Sequence, residues 1–477
     1  MSNLFDPLGE SRRRFFQDAG GGFAALALAW LESQRTGLAA EATAPESPLA
    51  ARPSHFPARA QSVIYLFMHG GPSHLETFDP KPELQRLAGQ PLPESFGPVA
   101  TRRNVAANPL LGTKRTFQPF GQSGIEVSDF LPHIAQHVDD LAVIRSCWAD
   151  SVNHPQAVYQ MNTGSVLMGK PSLGSWVSYG LGTENQNLPS FVMLPDPAGG
   201  IKGGPPAYGA GFLPASYQGT QMRSGTSPIL DLDPGADRAG QRQRATLDLI
   251  GKLNTQHRAD RGNDHELAAR INAYELAFRM QSAAPEAVDL AQESAETRTL
   301  YGLDQETTRD FGTRCLLARR LVERGVRFVQ LYSGDVNGWD AHDDVEANHK
   351  RMCSQTDQPV AALLTDLKRR GLLESTLVLW GGEFGRMPMS ESGVGRDHNP
   401  HGFCYWLAGA GVKGGTVHGA TDAVGLRAEV DRVHVHDLHA TILHLMGLDH
   451  TRLTFPHNGR DERLTDTAGN VVKSILA

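Results

Sequence analysis

The chain has 477 residues, with 45 basic and 52 acidic side chains and a net charge of −7. That length suits one large α/β domain with insertions, and the acidic balance, with no basic stripe, excludes a nucleic-acid footprint. Its four cysteines, Cys147, Cys315, Cys353 and Cys404, show no Cys-x-x-Cys spacing, which excludes a sulfur-ligated metal and a redox motif.

The N-terminus reads as a targeting segment. Ser11-Arg12-Arg13-Arg14-Phe15-Phe16 matches the twin-arginine export pattern, with Arg12 and Arg13 as the pair a translocase reads. A Gly/Ala-rich apolar stretch from Ala19 to Leu31 follows, and it falls short of the roughly 20 apolar residues that span a bilayer. Residues 1–44 are thus expected to be a cleavable signal, 45–60 a Pro/Ala-rich linker, and 61–477 the folded domain. The expectation is a protein exported folded to the periplasm or beyond, with no stable membrane span.

Continuous apolar runs then mark strands buried on both faces. In chain order they are Ser62–Met68, Leu141–Arg145, Phe191–Leu194, Val326–Tyr332, Thr376–Trp380 and Phe403–Ala408. Helical periodicity lies between them at Arg244–Gln281, Thr307–Arg324, Asp357–Leu367 and Asp437–Met446. This alternation predicts an α/β fold with a mostly parallel central sheet and helices on both faces. Residues 195–306 break the rhythm. They read as an insertion over one side of the sheet, with irregular Gly/Pro-rich loops up to Gly240 and a polar, mobile stretch from Ser282 to Thr299.

Polar residues collect where the strands end. The first strand runs into His69, Ser73, His74, Glu76 and Asp79, and the second into Asp150, Asn153 and His154. Val326–Tyr332 leads to Asp335, Asn337, Asp340 and His342. Thr376–Trp380 leads to Glu383 and Arg386, then to Asp397, His398 and His401 on a loop. In a parallel sheet these endings share one edge, where α/β folds place their ligands. Mixed carboxylate and imidazole donors suit a divalent metal; histidine favours zinc or manganese, and the carboxylates keep calcium open. Ser73, in a Gly-Gly-Pro-Ser turn, is the best-placed nucleophile. His434, His436, His439 and His444 lie on or before a helix without acidic partners at coherent spacing and read as structural.

Together these pieces resemble an exported bacterial family, domain of unknown function 1501, often loosely called sulfatase. The matching segments are the twin-arginine signal, Met68-His69-Gly70-Gly71-Pro72-Ser73-His74, Phe78-Asp79-Pro80-Lys81-Pro82 and Gln160-Met161-Asn162-Thr163-Gly164. Pro171 to Val177, Gly338-Trp339-Asp340-Ala341-His342 and Gly382-Glu383-Phe384-Gly385-Arg386-Met387-Pro388 complete them. The resemblance implies a branch of the alkaline phosphatase–sulfatase superfamily, with a metal site at the strand ends. In that frame Asp340, His342, Asp397 and His398 stand at ligand positions. Glu383 begins the place of an Asp-His pair whose histidine is here Phe384, and His69 stands where an Asp is usual. The Cys-x-Pro-x-Arg segment that sulfatases convert to formylglycine is missing. The departures imply one strong metal site rather than two.

The expected function is metal-dependent hydrolysis of phosphate or sulfate esters, of small molecules or glycans. Asp340, His342, Glu383, Asp397, His398 or His401 would hold the ion, Ser73 or a water would attack, and Arg386 would bind the anion. His69, His74, Asp79, Asn153 and His154 would complete the pocket. The rival expectation is a non-catalytic binding protein for anionic glycans on a decayed hydrolase fold.

Overall fold

The first apolar run folds as the sequence dictates, as a strand with every residue of Ser62–Met68 buried. The computed structural model describes residues 48–223, 229, 232, 235, 240–261, 265–334 and 337–477. The twin-arginine segment with Arg12 and Arg13 lies outside the described residues, as does Asp335.

The described strands of the central sheet are β1 (Ser62–Met68), β2 (Leu141–Trp148), β3 (Phe191–Leu194), β4 (Thr220–Gln221), β5 (Phe328–Ser333), β6 (Thr376–Gly381), β7 (Phe403–Ala408), β8 (Thr416–His418) and β9 (Val433–His434). Their order across the sheet is β8-β2-β7-β6-β1-β5-β3-β4, and β9 also pairs with β2. All pairings are parallel except those of β7, which runs against both β2 and β6. The mostly parallel α/β sheet read from the sequence is therefore the fold, with one reversed strand.

Register places β1 at the centre: Val63 to Met68 pair with Phe328 to Ser333, and Ser62 to Phe67 with Thr376 to Gly381. Both neighbours therefore end level with β1, and their connecting loops emerge side by side.

The principal helices are α1 (His154–Thr163), α2 (Leu173–Leu181), α3 (Gln241–Arg261), α4 (His265–Val288), α5 (Glu306–Glu323), α6 (Val345–Arg369) and α7 (Val435–Leu445). On one face Ile64, Leu66 and Met68 of β1 share a core with Cys315 and Leu316 of α5 and with Val360 and Leu364 of α6. On the other, Phe191 of β3 lies so close to Gly174 of α2 that a Cβ there would sit 2.7 Å from its ring. Two-sided burial of this kind explains the unbroken apolar strands. Residues 51–477 form one compact unit. Among the described residues no helix is long and apolar enough to cross a membrane.

Three local expectations are corrected. The helix expected to begin at Asp357 begins at Val345, capped by the Asp344 carboxylate on Ala347 N–H at 3.0 Å. Asp357 lies inside that helix and accepts the His133 and Ile134 N–H groups, each at 2.8 Å. Ser282–Thr299, expected to be mobile, is largely helical and tied down by ion pairs. Helix α4 runs to Val288, and Glu293 meets Arg319 at 2.7 Å and also pairs with Arg320. The loop carrying Asp397 and His398 is the second strand of an antiparallel pair, Gly385–Glu391 with Gly395–Asn399. His398 sits opposite Arg386 in it.

Two buried histidines outside the strand-end cluster make stability depend on pH. His439 bonds the Met161 carbonyl at 2.9 Å, and its pKa is pushed down to about 3 by burial. His349 accepts the Ser73 N–H at 2.8 Å, and burial lowers its pKa to about 4. Both fall below the ordinary 6.5, so the unfolded chain takes up these protons first. Their contribution is complete above that value and is lost as the pH falls through it. At pH 5 each should cost about 2 kcal/mol of stability. Chemical denaturation from pH 7.5 to 5 should show this loss, and His439→Gln should flatten the profile; equal stability at both ends would refute it.

Candidate metal centre

Five parallel strands deliver the site. Beyond β2 comes His154, the first residue of α1; beyond β3 comes Lys202; beyond β1 come His69 and Gly70. The loop after β5 supplies Asp340 and His342, and the turn after β6 supplies Glu383. The antiparallel pair that follows adds Arg386 and His398.

Asp340 is the hub. Its Oδ1 lies 3.0 Å from His342 Nε2 and 3.1 Å from His398 Nε2, and its Oδ2 lies 2.9 Å from His154 Nε2. His342 Nε2 and His398 Nε2 are themselves 2.9 Å apart. These four residues each offer a donor atom within 4.8 Å of the others.

The outer nitrogens set the protons. His154 Nδ1–H donates to Glu383 Oε1 at 2.6 Å, His342 Nδ1–H to Glu391 Oε2 at 2.6 Å, and His398 Nδ1–H to the Val152 carbonyl at 2.6 Å. A neutral imidazole that donates from Nδ1 carries a lone pair on Nε2. All three rings present Nε2 to one carboxylate, and a ring whose proton sits on Nδ1 has that Nε2 lone pair free for a cation beside Asp340. His154 Nε2 is buried and reaches Asp340 without the alignment of a hydrogen bond. The residues present fit a divalent cation with three nitrogen donors and one oxygen donor. Glu383, Glu391 and the Val152 carbonyl fix ring orientation as outer partners of metal-binding histidines do.

Electrostatics agree. Burial by itself raises the Asp340 pKa, but the close approach of the His154, His342 and His398 rings and the charge of Arg386 hold it far below the carboxylate range. His398 is pushed down to about 3, chiefly by burial, against the pull of Asp340. Glu383 is fully buried yet held below its ordinary value by His154, and its two oxygens accept Gly70 N–H at 3.0 and 3.1 Å. The His398 imidazole is thus ready to ligate at neutral pH.

Two cations touch the hub. Arg386 Nη2 meets Asp340 Oδ1 at 2.8 Å, and Lys202 Nζ meets Oδ2 at 2.6 Å. Arg386 is fully buried, and its other donors serve carbonyls: Nε to Gly71 at 2.9 Å, Nη1 to Arg396 at 3.2 Å, Nη2 to Trp339 at 3.3 Å and to Gly70. Lys202 is partly exposed, with its backbone N–H on His69 Nε2 at 3.0 Å.

The other expected residues fall as follows. Asp397 is buried beside the cluster, accepting Arg103 N–H and His398 N–H, each at 2.8 Å, and with His342 and Glu391 it forms a second group of donors. Glu383 contacts His154 rather than the central space. His401 is half-buried and makes no contact with the four donors; its N–H bonds Asn399 Oδ1 at 3.1 Å. Ser73 is fully buried, with its N–H on His349 and its carbonyl on Thr77 Oγ1 at 2.8 Å. Its hydroxyl makes no aligned hydrogen bond, and Glu76 is the charged group beside it. His74 bonds the Gly425 carbonyl at 2.8 Å, Asp79 pairs with Lys81 at 3.0 Å, and Asn153 is exposed at the start of α1.

Sequence reasoning placed His154 only in the pocket, and it missed Glu391, Lys202, Arg102 and Arg103. Arg103 Nη1 holds Glu391 Oε1 at 2.9 Å, and Arg102 Nη1 lies 3.4 Å from His398 Nδ1. The one signal for His154 was its position just past a strong strand. Nothing in the local sequence of the other four marked them.

The chain belongs to the family described as Protein of unknown function (DUF1501), which matches residues 60–476. No curated protein matches it. Among solved structures it is similar to the PsFucS1 sulfatase from Pseudoalteromonas sp., at 12% identity over 81% of this chain and 68% of that one, with a TM-score of 0.34. It is also similar to the lipoteichoic acid synthase LtaP from Listeria monocytogenes, at 8% identity over 88% and 79% of the two chains, TM-score 0.34. A third likeness is to the phosphonate monoester hydrolase SpPMH from Silicibacter pomeroyi, at 13% identity over 66% and 68%, TM-score 0.29. Overlap at that level says nothing about what this chain acts on.

Proposed function

We propose that this member of the DUF1501 family is a metal-dependent hydrolase of phosphate or sulfate esters. The observation that carries the reading is the convergence of three imidazole Nε2 atoms on Asp340, each ring anchored outward through Nδ1. His154, Asp340, His342 and His398 would hold the ion. Three nitrogen donors favour zinc or manganese over calcium, which takes oxygen ligands. A bound divalent cation would polarise an ester oxygen and sharpen a nucleophile at neutral pH.

The chain's own groups divide the remaining work. Glu383 and Glu391 keep their histidines in the ligating tautomer. Arg386, with its donors committed to carbonyls and to Asp340, positions the loops instead of meeting substrate. Lys202 and Arg102, both reachable from solvent, are the cations an anionic ester would meet.

A screen of aryl phosphate, phosphodiester and sulfate esters, with added zinc, manganese or calcium, tests the reading. Hydrolysis that requires zinc or manganese and disappears in His342→Ala supports it. Metal uptake without turnover of any ester would favour the glycan-binding alternative.

Ser73→Ala separates two routes of attack. With its hydroxyl buried and out of contact with the four donors, the variant should keep its kcat within about tenfold, roughly 1.4 kcal/mol of barrier. A fall of several orders of magnitude with metal content unchanged would make Ser73 the covalent nucleophile.

Export belongs to the same reading, because the twin-arginine route carries folded proteins and a metal site can be filled before export. Arg12→Lys with Arg13→Lys should leave the precursor unprocessed in the cytoplasm. Normal processing of that double variant would refute this route.

A further inference from the structure

The charges around the four donors come in equal numbers. Lys202 and Arg386 face Asp340 at 2.6 and 2.8 Å, and Arg103 faces Glu391 at 2.9 Å. Two further carboxylates, Glu383 and Asp397, are satisfied by backbone N–H groups and, for Glu383, by the His154 ring. The remaining cation is Arg102. It is exposed, touches His398 Nδ1 at 3.4 Å, and has no carboxylate within ion-pair distance among the described residues. Among these groups the four positive side chains balance the four carboxylates.

A divalent cation entering among these eight balanced side chains brings two charges that they do not offset. Much of the set is buried, where charge left uncompensated is costly. The incoming ligand must then supply the negative charge. A phosphate monoester does so as a dianion, whereas a sulfate ester or a phosphodiester brings one charge only.

We propose that the site selects a dianionic phosphomonoester over a monoanionic sulfate ester, with Arg102 as a specificity-determining residue at its mouth. This rests on the metal-dependent hydrolase reading above. Arg102 is held where it can serve by its neighbour: Arg103 clips the segment down through its backbone N–H on Asp397 and its guanidinium on Glu391, while the Arg102 guanidinium touches His398 and has no carboxylate partner among the described residues. A guanidinium beside a loaded metal centre is repelled unless an anion lies between them, so Arg102 strengthens binding most for the ligand with the higher charge. Lys202, on the opposite oxygen of Asp340, approaches from the loop after β3.

The test uses the metal-loaded protein and two unreactive ligands of the same shape, phenylphosphonate and benzenesulfonate, at a pH where the first is a dianion and the second a monoanion. Calorimetry should show the phosphonate binding at least about tenfold tighter. In Arg102→Gln, with metal content unchanged by elemental analysis, that gap should shrink at least about threefold. Equal binding of the pair, tighter binding of the sulfonate, or no binding of either overturns the inference. A gap that survives Arg102→Gln intact assigns the preference to the metal alone and overturns the role of Arg102. A protein that takes up no metal overturns the hydrolase reading, and this inference with it; one that loads metal but fails the comparison overturns this inference alone.

Discussion

Asp340→Ala should empty the metal centre, weakening retention of zinc or manganese at least about 100-fold. Asp340 is the one carboxylate in the group of four donors, and each of its oxygens faces at least one imidazole Nε2 within 3.1 Å. Ligating imidazoles without it bring lone pairs but no negative charge, and Lys202 and Arg386 lose the carboxylate that they face beside the ion. Those two cations would instead repel it. Asp340→Asn should behave almost as badly, because it keeps the shape and loses the charge. Equilibrium dialysis followed by elemental analysis reads the result. An alanine variant that holds metal as tightly as the parent would remove Asp340 from the site.

Arg386→Ala should be the most damaging change to the fold in this region, at about 3–5 kcal/mol. The guanidinium is wholly buried and joins three segments: the Gly70–Gly71 turn after β1, the Trp339–Asp340 loop after β5, and Arg396 on the facing strand. Deleting it leaves four carbonyls and a carboxylate short of a donor in a buried place, each with a desolvation cost. Lysine should rescue little, since a single ammonium lacks the planar fork that reaches five acceptors. Denaturant titration measures the loss. A change under about 1 kcal/mol would mean that the loops hold together without it. Retained stability combined with a selective loss of substrate affinity would return Arg386 to the anion-binding role expected from the sequence.

The strands were legible because burial on both faces writes an unbroken apolar run, and Ser62–Met68, Phe191–Leu194 and Phe403–Ala408 match their observed bounds. Asp340, His342 and His398 were legible for a related reason: parallel strands in register end together, so polar residues just past them share an edge. The roles within the cluster were less so. Whether Glu383 ligates a metal or orients a ligand depends on which atom of His154 it meets, 229 residues away in the chain. Glu391 was hidden because Gly385–Glu391 contains Pro388 and reads as loop, yet it pairs with Gly395–Asn399 and brings its carboxylate to His342. Lys202 sits in a Gly/Pro-rich segment whose path only tertiary anchors define, among them Tyr159 on the Gly203 carbonyl at 2.8 Å. Helix α6 was expected to start twelve residues too late because its first turns carry polar side chains such as Asn348 and His349, which face neighbouring loops rather than the apolar core.

Elemental analysis of protein purified without chelator, joined to X-ray absorption at the metal edge, tests the metal centre most directly. The expected result is about one zinc or manganese ion per chain, surrounded by imidazole nitrogen and carboxylate oxygen, and its loss in His154→Ala, His342→Ala or His398→Ala. Less than about a tenth of an ion per chain after incubation with either metal, or an ion whose surroundings are unchanged in those three variants, would contradict it.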